Sequence, residues 1–304
     1  MLKKRYIITS LVLALATLAG LTAGPVTKAI AQSASPTDVG ANIVGGHNAE
    51  EPWAVSLQSI GPNGASHECG GVLIAPKWVM TAAHCEPYVG GQARIGSLNW
   101  KEGGEVISVA DVYSHPYHDS SRNFGYDLAL VKLTVAAKTA PVAIGVYGGY
   151  GSTGIAQGWG IICDFDVTAP GCGDQTPDFL KELEMRREKD SFCDLKNAAG
   201  VQLNHHPTMM CLVTADGSQA GTCFGDSGSP FLQDFGNTKA VTGIIIAIMN
   251  NTVPTPHVCS QTPSGGINRD AATEIAPLLP WVIQTLVQHD SEGLKFVQSH
   301  LVGN

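Results

Sequence analysis

The chain is written in short runs of Val, Ile, Leu and aromatic residues, cut apart by glycine, and this restricts its fold most. The runs are "WAVSLQS" (53–59), "GVLI" (71–74), "WVMTAA" (78–83), "EVISVADVY" (105–113), "DLALVKL" (127–133) and "AVTGIIIAI" (240–248). Between them lie "GPNG" (61–64), "KEGG" (101–104) and "YGGYGSTG" (147–154), which supply turn chemistry. This spacing suits antiparallel barrels or sandwiches. At 304 residues, 44% hydrophobic and 14% charged, the chain can bury a real core in one large all-β domain or two ordinary ones. Residues 134–154, poor in charge and rich in glycine, are expected to link two halves. One helix is expected near the end, with Pro280 in its first turn and Leu279, Val282, Ile283 and Leu286 at three- and four-residue spacing. The tail from His289 mixes charges with glycine and is expected to be peripheral. No internal repeat is visible.

The first residues read as an export signal. Lys3, Lys4 and Arg5 precede an uncharged apolar run from Tyr6 to Leu21, and Ala29-Ile30-Ala31 offers small residues at the positions a signal peptidase reads. Cleavage is expected before Gln32. The other reading, an uncleaved anchor, needs a longer span than this run provides. No later stretch of 20 apolar residues occurs, so no internal membrane span or stable membrane association is expected. Without residues 1–42 the chain keeps 14 of its 18 Lys and Arg and 25 of its 26 Asp and Glu, a net charge of −11. That balance argues against a nucleic-acid partner. Eight cysteines, Cys69, Cys85, Cys163, Cys172, Cys193, Cys211, Cys223 and Cys259, agree with export and suggest four disulfides in an unspecified pairing. No Cys-x-x-Cys spacing points to a zinc cluster.

Three segments carry candidate chemistry. In "CGGVLIAPKWVMTAAHC" (69–85), His84 follows small residues at a strand end. In "YDLALVKL" (126–133), Asp127 precedes an alternation that turns Leu128, Leu130 and Lys132 away from Ala129, Val131 and Leu133. In "GTCFGDSGSP" (221–230), Ser227 lies between glycines, where the backbone can turn sharply and bare its N–H groups. Singly, each residue has an ordinary reading as a packed, turn or loop residue. Together they match a chemical need. A serine hydroxyl becomes a useful nucleophile only beside a base, and imidazole suits that role once a carboxylate orients it. Two bare N–H groups can then hold the oxyanion formed on attack.

With these segments in view, the chain resembles the secreted chymotrypsin/trypsin-like serine proteases over nearly all of residues 43–288. "IVGG" (43–46), "PWAVSLQ" (52–58), "TAAHC" (81–85), "DLAL" (127–130), "GWG" (158–160) and "GDSGSP" (225–230) occur in the family's order. The resemblance implies two six-stranded antiparallel β-barrels, about 43–140 and about 150–275, followed by a C-terminal helix at about 277–288 and a tail over 289–304. It implies catalysis in the cleft by His84, Asp127 and Ser227, with an oxyanion hole made by the N–H groups of Gly225 and Ser227. It also implies disulfides Cys69–Cys85, Cys193–Cys211 and Cys223–Cys259. Cys163–Cys172 is expected to close a loop peculiar to this chain. No cofactor is expected. The expected partners are protein or peptide substrates, an activating protease and protein inhibitors. A secreted monomer is expected.

The resemblance also accounts for "ANIVGGHN" (41–48), where two glycines interrupt an apolar start. Residues 1–31 would be the signal peptide and 32–42 a propeptide. A cut after Asn42 would free the Ile43 amine to pair with Asp226 and order the Gly225 loop. Asn42 departs from the Arg or Lys usual before such a cut, which implies an activating enzyme other than a trypsin-like one, or cleavage within 32–42 and trimming.

The specificity pocket departs further. Gly221 stands where members that cleave after Arg or Lys carry an aspartate, with Thr222 beside it. Asp216 is the nearest acid that could enter from another loop. "GIIIAI" (243–248) replaces the family's Gly-Ile-Val-Ser-Trp-Gly, so Ile246 stands where a serine hydroxyl meets the catalytic Asp, Ala247 where a tryptophan lies, and Ile248 where glycine opens the pocket. Small or medium apolar residues before the scissile bond are therefore expected. Metal sites at "HPYHD" (115–119), at His205-His206 or in a calcium loop around 97–107 are not supported. Asn250-Asn251-Thr252 is a glycosylation sequon. The alternative function is a protease-fold binding module without turnover. An α/β-hydrolase is excluded because the chain carries Gly-Asp-Ser-Gly-Ser in the order His, Asp, Ser.

Overall fold

A computed structural model describes residues 43, 45–119, 125–146, 148–162, 176–194, 207–248, 259 and 268–303. The expected signal peptide and propeptide, the Cys163–Cys172 pair, His205-His206 and the sequon at 250–252 lie outside the described residues. A short strand β1 (His47–Asn48) comes first. It is followed by β2 (Ala54–Gly61), β3 (Gly64–Ala75), β4 (Trp78–Thr81), β5 (Gln92–Ile95), β6 (Glu105–Ser114) and β7 (Ala129–Leu133). These six strands close into a barrel in the order β2-β3-β4-β7-β6-β5, every pair antiparallel.

The two-residue period of a strand decides what fills this barrel. Val55, Leu57, Leu73, Val79, Ala93, Ile95, Ile107, Val109, Val131 and Leu133 form one buried cluster inside it. The alternate residues of β7 face the other way. Leu128 and Leu130 join Trp78, Met80 and Val72 in a second cluster, shared with Leu232, Val241, Ile244 and Ile246 of the following barrel. The alternation expected of "DLALVKL" is thus present.

The second half comprises β8 (Ala143–Gly145), β9 (Thr153–Gly158), β10 (Lys181–Glu188), β11 (Met209–Thr214), β12 (Pro230–Phe235), β13 (Thr238–Ile248) and β14 (Asp270–Glu274). The path β12-β9-β10-β11-β14-β13 closes through a β12–β13 pairing, so this barrel also has six antiparallel strands. Ile43, Leu183, Met185, Met210, Leu212, Phe231 and Ile245 belong to its core. The segment read as a linker is not plain linker: it contains β8, which pairs in parallel with β13. Disulfides Cys69–Cys85, Cys193–Cys211 and Cys223–Cys259 are formed.

The chain ends in helix α1 (Leu279–His289), helix α2 (Ser291–Ser299) and strand β15 (Leu301–Val302). The first agrees with the helix expected from Leu279, Val282, Ile283 and Leu286. The tail is not peripheral. Asp290 caps α2 by accepting the Glu292 and Gly293 N–H groups, both at 3.1 Å, and its other oxygen accepts the Trp78 indole N–H at 2.9 Å. Gly293 permits this close approach, since a Cβ there would lie 2.9 Å from the Trp78 ring. Val297 is buried in the shared cluster, and β15 pairs with β8. The charges that suggest a loose tail are a cap and an outer helix face.

Candidate active site

Strand β4 delivers a 3-10 turn, Ala83–Cys85, which ends at Glu86 in the left-handed region (φ 46°). The Cys69–Cys85 bridge ties this turn to β3. His84 is therefore held from both sides. Its backbone N–H donates to Asp127 Oδ1 at 2.9 Å, and its Nδ1 lies 2.6 Å from Asp127 Oδ2. Asp127 is 1% exposed. It enters β7 through Tyr126, whose φ of 56° turns the chain inward and whose N–H donates to Thr208 Oγ1. The Asp127 carbonyl accepts the Thr273 hydroxyl of β14 at 2.8 Å, so both barrels fix the carboxylate's backbone. With Nδ1 engaged by a carboxylate, Nε2 is the nitrogen His84 has left to offer.

The Ser227 loop docks on the same corner. The Ser227 carbonyl accepts the Gly70 N–H of β3 at 2.7 Å, beside Cys69, and the Gly228 N–H donates to Ile245 of β13. Gly228 has φ 81°, and a Cβ there would lie 2.2 Å from Thr81 Oγ1, at the end of the strand that leads to His84. Only glycine lets the loop sit this close. The structure thus joins His84 and Asp127 directly and brings the Ser227 backbone against β3. Among the described residues, the Ser227 hydroxyl makes no hydrogen bond to His84. The N–H groups of Gly225 and Ser227 likewise donate to no described residue.

Behind the loop, the Gly225 carbonyl lies 3.0 Å from Nε2 of His67, whose Nδ1 lies 2.8 Å from the Ser56 hydroxyl. Burial pushes the His67 pKa down to about 4, so the ring is neutral, with Nε2–H donating and Nδ1 accepting. Asp226 is buried and accepts the Gly160 and Cys223 N–H groups, each at 2.8 Å. Burial raises its pKa to about 7. Ile43 lies in the second barrel's core with no exposed surface. In this continuous chain its nitrogen is an amide, and no ion pair joins it to Asp226.

Where the resemblance implies a specificity pocket, Gly221 and Thr222 meet an acid that sequence reading did not identify. Asp270, at the start of β14, is fully buried. Its Oδ1 accepts the Thr222 hydroxyl at 2.8 Å and its Oδ2 the Thr222 N–H at 3.3 Å. A Cβ on Gly221 would lie 3.2 Å from that Oδ2. Burial raises the Asp270 pKa to about 7. Asp216, the acid suggested by proximity in sequence, is instead exposed and accepts the Ser218 N–H in a turn. Ile248 pairs with Asp270 across β13–β14 and packs near the Cys223–Cys259 bridge. The one available signal for Asp270 was an acid heading the otherwise apolar "DAAT". Among the described residues, no group of three His, Cys, Asp or Glu side chains could hold a metal ion. The 97–102 turn is closed by Ser97 hydroxyl bonds to the Asn99 and Glu102 carbonyls.

The family described as Trypsin matches residues 43–264. The chain is 31% identical to a trypsin of Simulium vittatum over 211 residues, covering 64% of this chain and 80% of that protein. It is 33% identical to serine protease 1 of Canis lupus familiaris over 216 residues, 65% of this chain and 77% of the relative. Trypsin alpha of Drosophila erecta is 28% identical over 242 residues, 77% and 82% of the two chains. A match over residues 43–264 covers most of the chain, which belongs to the trypsin family of serine proteases.

Proposed function

We propose that the chain is the secreted precursor of a serine endopeptidase that works through His84, Asp127 and Ser227. The observation that carries this reading is the 2.6 Å contact between His84 Nδ1 and buried Asp127, beside a serine loop anchored on Gly70. His84 Nε2 takes the Ser227 hydroxyl proton as the oxygen attacks the scissile carbonyl carbon. Asp127 keeps the imidazole in the Nδ1–H tautomer and stabilises its charged form. The N–H groups of Gly225 and Ser227 receive the oxyanion, each worth about 3–4 kcal/mol in the transition state. His84 then gives the proton to the leaving amine, and water releases the acyl group by the same relay. A fluorophosphonate probe is expected to label Ser227 in the chain cut before Ile43, and Ser227→Ala to abolish peptide hydrolysis. Absence of labelling on the cut chain, or unchanged turnover in Ser227→Ala, overturns the assignment.

Activation proceeds by cleavage after Asn42. The free Ile43 ammonium pairs with Asp226, which is buried and meets no cation among the described residues of the continuous chain. The start of the family match at residue 43 supports this boundary. Terminal sequencing of the active form is expected to begin at Ile43. The enzyme prefers small or medium apolar residues before the scissile bond, because Asp270 is sealed by Thr222 and Ile248 narrows the pocket. A cleavage profile dominated by Arg and Lys overturns this preference. Peptide and protein substrates, an activating protease and protein inhibitors are its partners, and it acts as a monomer.

A further inference from the structure

Among the described residues, the Asp127 carboxylate is hydrogen-bonded by His84 alone. It accepts two hydrogen bonds, from the backbone N–H and ring Nδ1 of His84. A carboxylate with 1% exposure has room for more donors and little water to supply them. On the β13 side, Ile246 is buried in the same cluster as Ala82 and Leu128, and its side chain donates nothing.

A second imidazole faces the carboxylate. His118 Nδ1 lies 3.7 Å from Asp127 Oδ1, the oxygen that accepts only the His84 backbone N–H. Its side chain is 14% exposed, while Nδ1 itself is buried and has no hydrogen-bond partner. A buried ring nitrogen without a partner is costly, and the nearest charged atom here is the one it faces. The turn that carries His118 is clamped to the Asp127 segment. The His115 N–H donates to Leu128 O at 2.9 Å, and the His118 N–H to His115 O at 2.9 Å. The His115 ring stacks on Tyr126 at 4.8 Å and meets Trp281 at 4.9 Å.

We propose that His118 is a positioning residue for the catalytic carboxylate: its Nδ1–H donates to Asp127 Oδ1 and holds the group from the side opposite His84 Nδ1. This rests on the assignment of His84, Asp127 and Ser227 above. Such contacts commonly stand long in a free enzyme and tighten when substrate closes the site. His118 thereby supplies the side-chain donor that Ile246 lacks. It touches neither substrate nor the reacting atoms. It acts by holding Asp127, so its removal lets the carboxylate and the His84 ring drift from the Ser227 hydroxyl, which costs rate rather than binding.

The test has a spectroscopic and a kinetic arm. In the intact chain, the 15N shift of His118 Nδ1 is expected to be that of a protonated nitrogen, and to move in Asp127→Asn. An unprotonated Nδ1, or one indifferent to Asp127→Asn, overturns the proposal, and this reading needs no activity. In the cut chain, His118→Phe is expected to lower kcat about ten-fold with KM within about two-fold. His118→Asn, which keeps an N–H donor near the same place, is expected to recover most of that loss. Adding Ile246→Ser to His118→Phe is expected to recover part of it by a hydroxyl from β13, a non-additive pair. Equal losses in the Phe and Asn variants, or no loss in either, overturn the proposal. Failure of Ser227 to react with fluorophosphonate counts instead against the triad, whatever His118 does.

Discussion

Asp127 in the first barrel and Asp226 and Asp270 in the second are all buried carboxylates, yet they are treated differently. Asp127 meets a ring nitrogen of its own barrel at 2.6 Å, with a second imidazole close by. Among the described residues, the Asp226 and Asp270 carboxylates accept only N–H groups and a hydroxyl, and burial raises both pKa values to about 7. A buried charge without a partner either protonates or waits for a cation. The first barrel's carboxylate thus already has an imidazole beside it in the continuous chain. The second holds two acids in reserve, one beside the serine loop and one sealed under the pocket floor. The difference teaches where regulation can enter: at the barrel that holds Asp226 and Asp270.

The largest expected effect breaks the His84–Asp127 pair. Asp127→Asn should lower kcat by about 10⁴-fold, because His84 is then held in the wrong tautomer. A loss below about ten-fold in steady-state hydrolysis contradicts the role given to the pair. Next comes the waiting acid near the cut. In the chain cut before Ile43, Asp226→Asn removes the carboxylate proposed to receive the new ammonium, and kcat/KM should fall by at least about 10²-fold, roughly the loss of one oxyanion donor. A cut variant of wild-type rate removes the switch.

The same substitution read on the uncut chain sharpens the contrast by pH. The folded pKa of Asp226, about 7, lies above its ordinary 3.8. Between these values the native state binds more protons than the unfolded one. Stability therefore falls as pH rises through this window and is fullest below it. Asp226→Asn should raise Tm relative to the parent at pH 7.5 and lose that advantage at pH 3.5, a difference of about 5 °C. An advantage equal at both values ends this account.

Smaller effects are expected at the sealed acid and at the strap. Thr222→Gly removes the hydroxyl over Asp270 and opens a path to it. The ratio of kcat/KM for Lys and Arg substrates over Ala and Val substrates should rise about ten-fold, and an unchanged ratio means that Ile248, not Thr222, closes the pocket. Asp290→Ala removes the α2 cap and the Trp78 acceptor together, a loss of about 1–2 kcal/mol seen as a lower Tm with unchanged kcat. A fall in kcat there instead would tie the C-terminal strap to the active site.

Much of the site was legible because its parts are local. His84 beside Cys85, Asp127 heading "DLAL" and Ser227 in "GDSGSP" each keep their chemistry and their turn residues within a few positions. The alternation of β7 was legible because a strand between two cores must show both faces in its own residues. His118 was not, since "HPYHD" reads as a polar loop until the turn folds back onto Leu128. Asp270 lies 48 residues beyond Thr222 in the chain, and no periodicity links them. The tail misled because charge was taken for exposure, whereas Asp290 spends its carboxylate on a cap and an indole.

The residues alone determined the period-two strands, the turn glycines and the three chemical segments, since each depends on sterics and propensities within a few neighbours. Folding in three dimensions decided which buried acid meets an imidazole, which second histidine faces Asp127, what covers Asp270 and where the last helix docks. Those are contacts between segments far apart in the chain, and their energies depend on burial and distance that exist only once both barrels have closed.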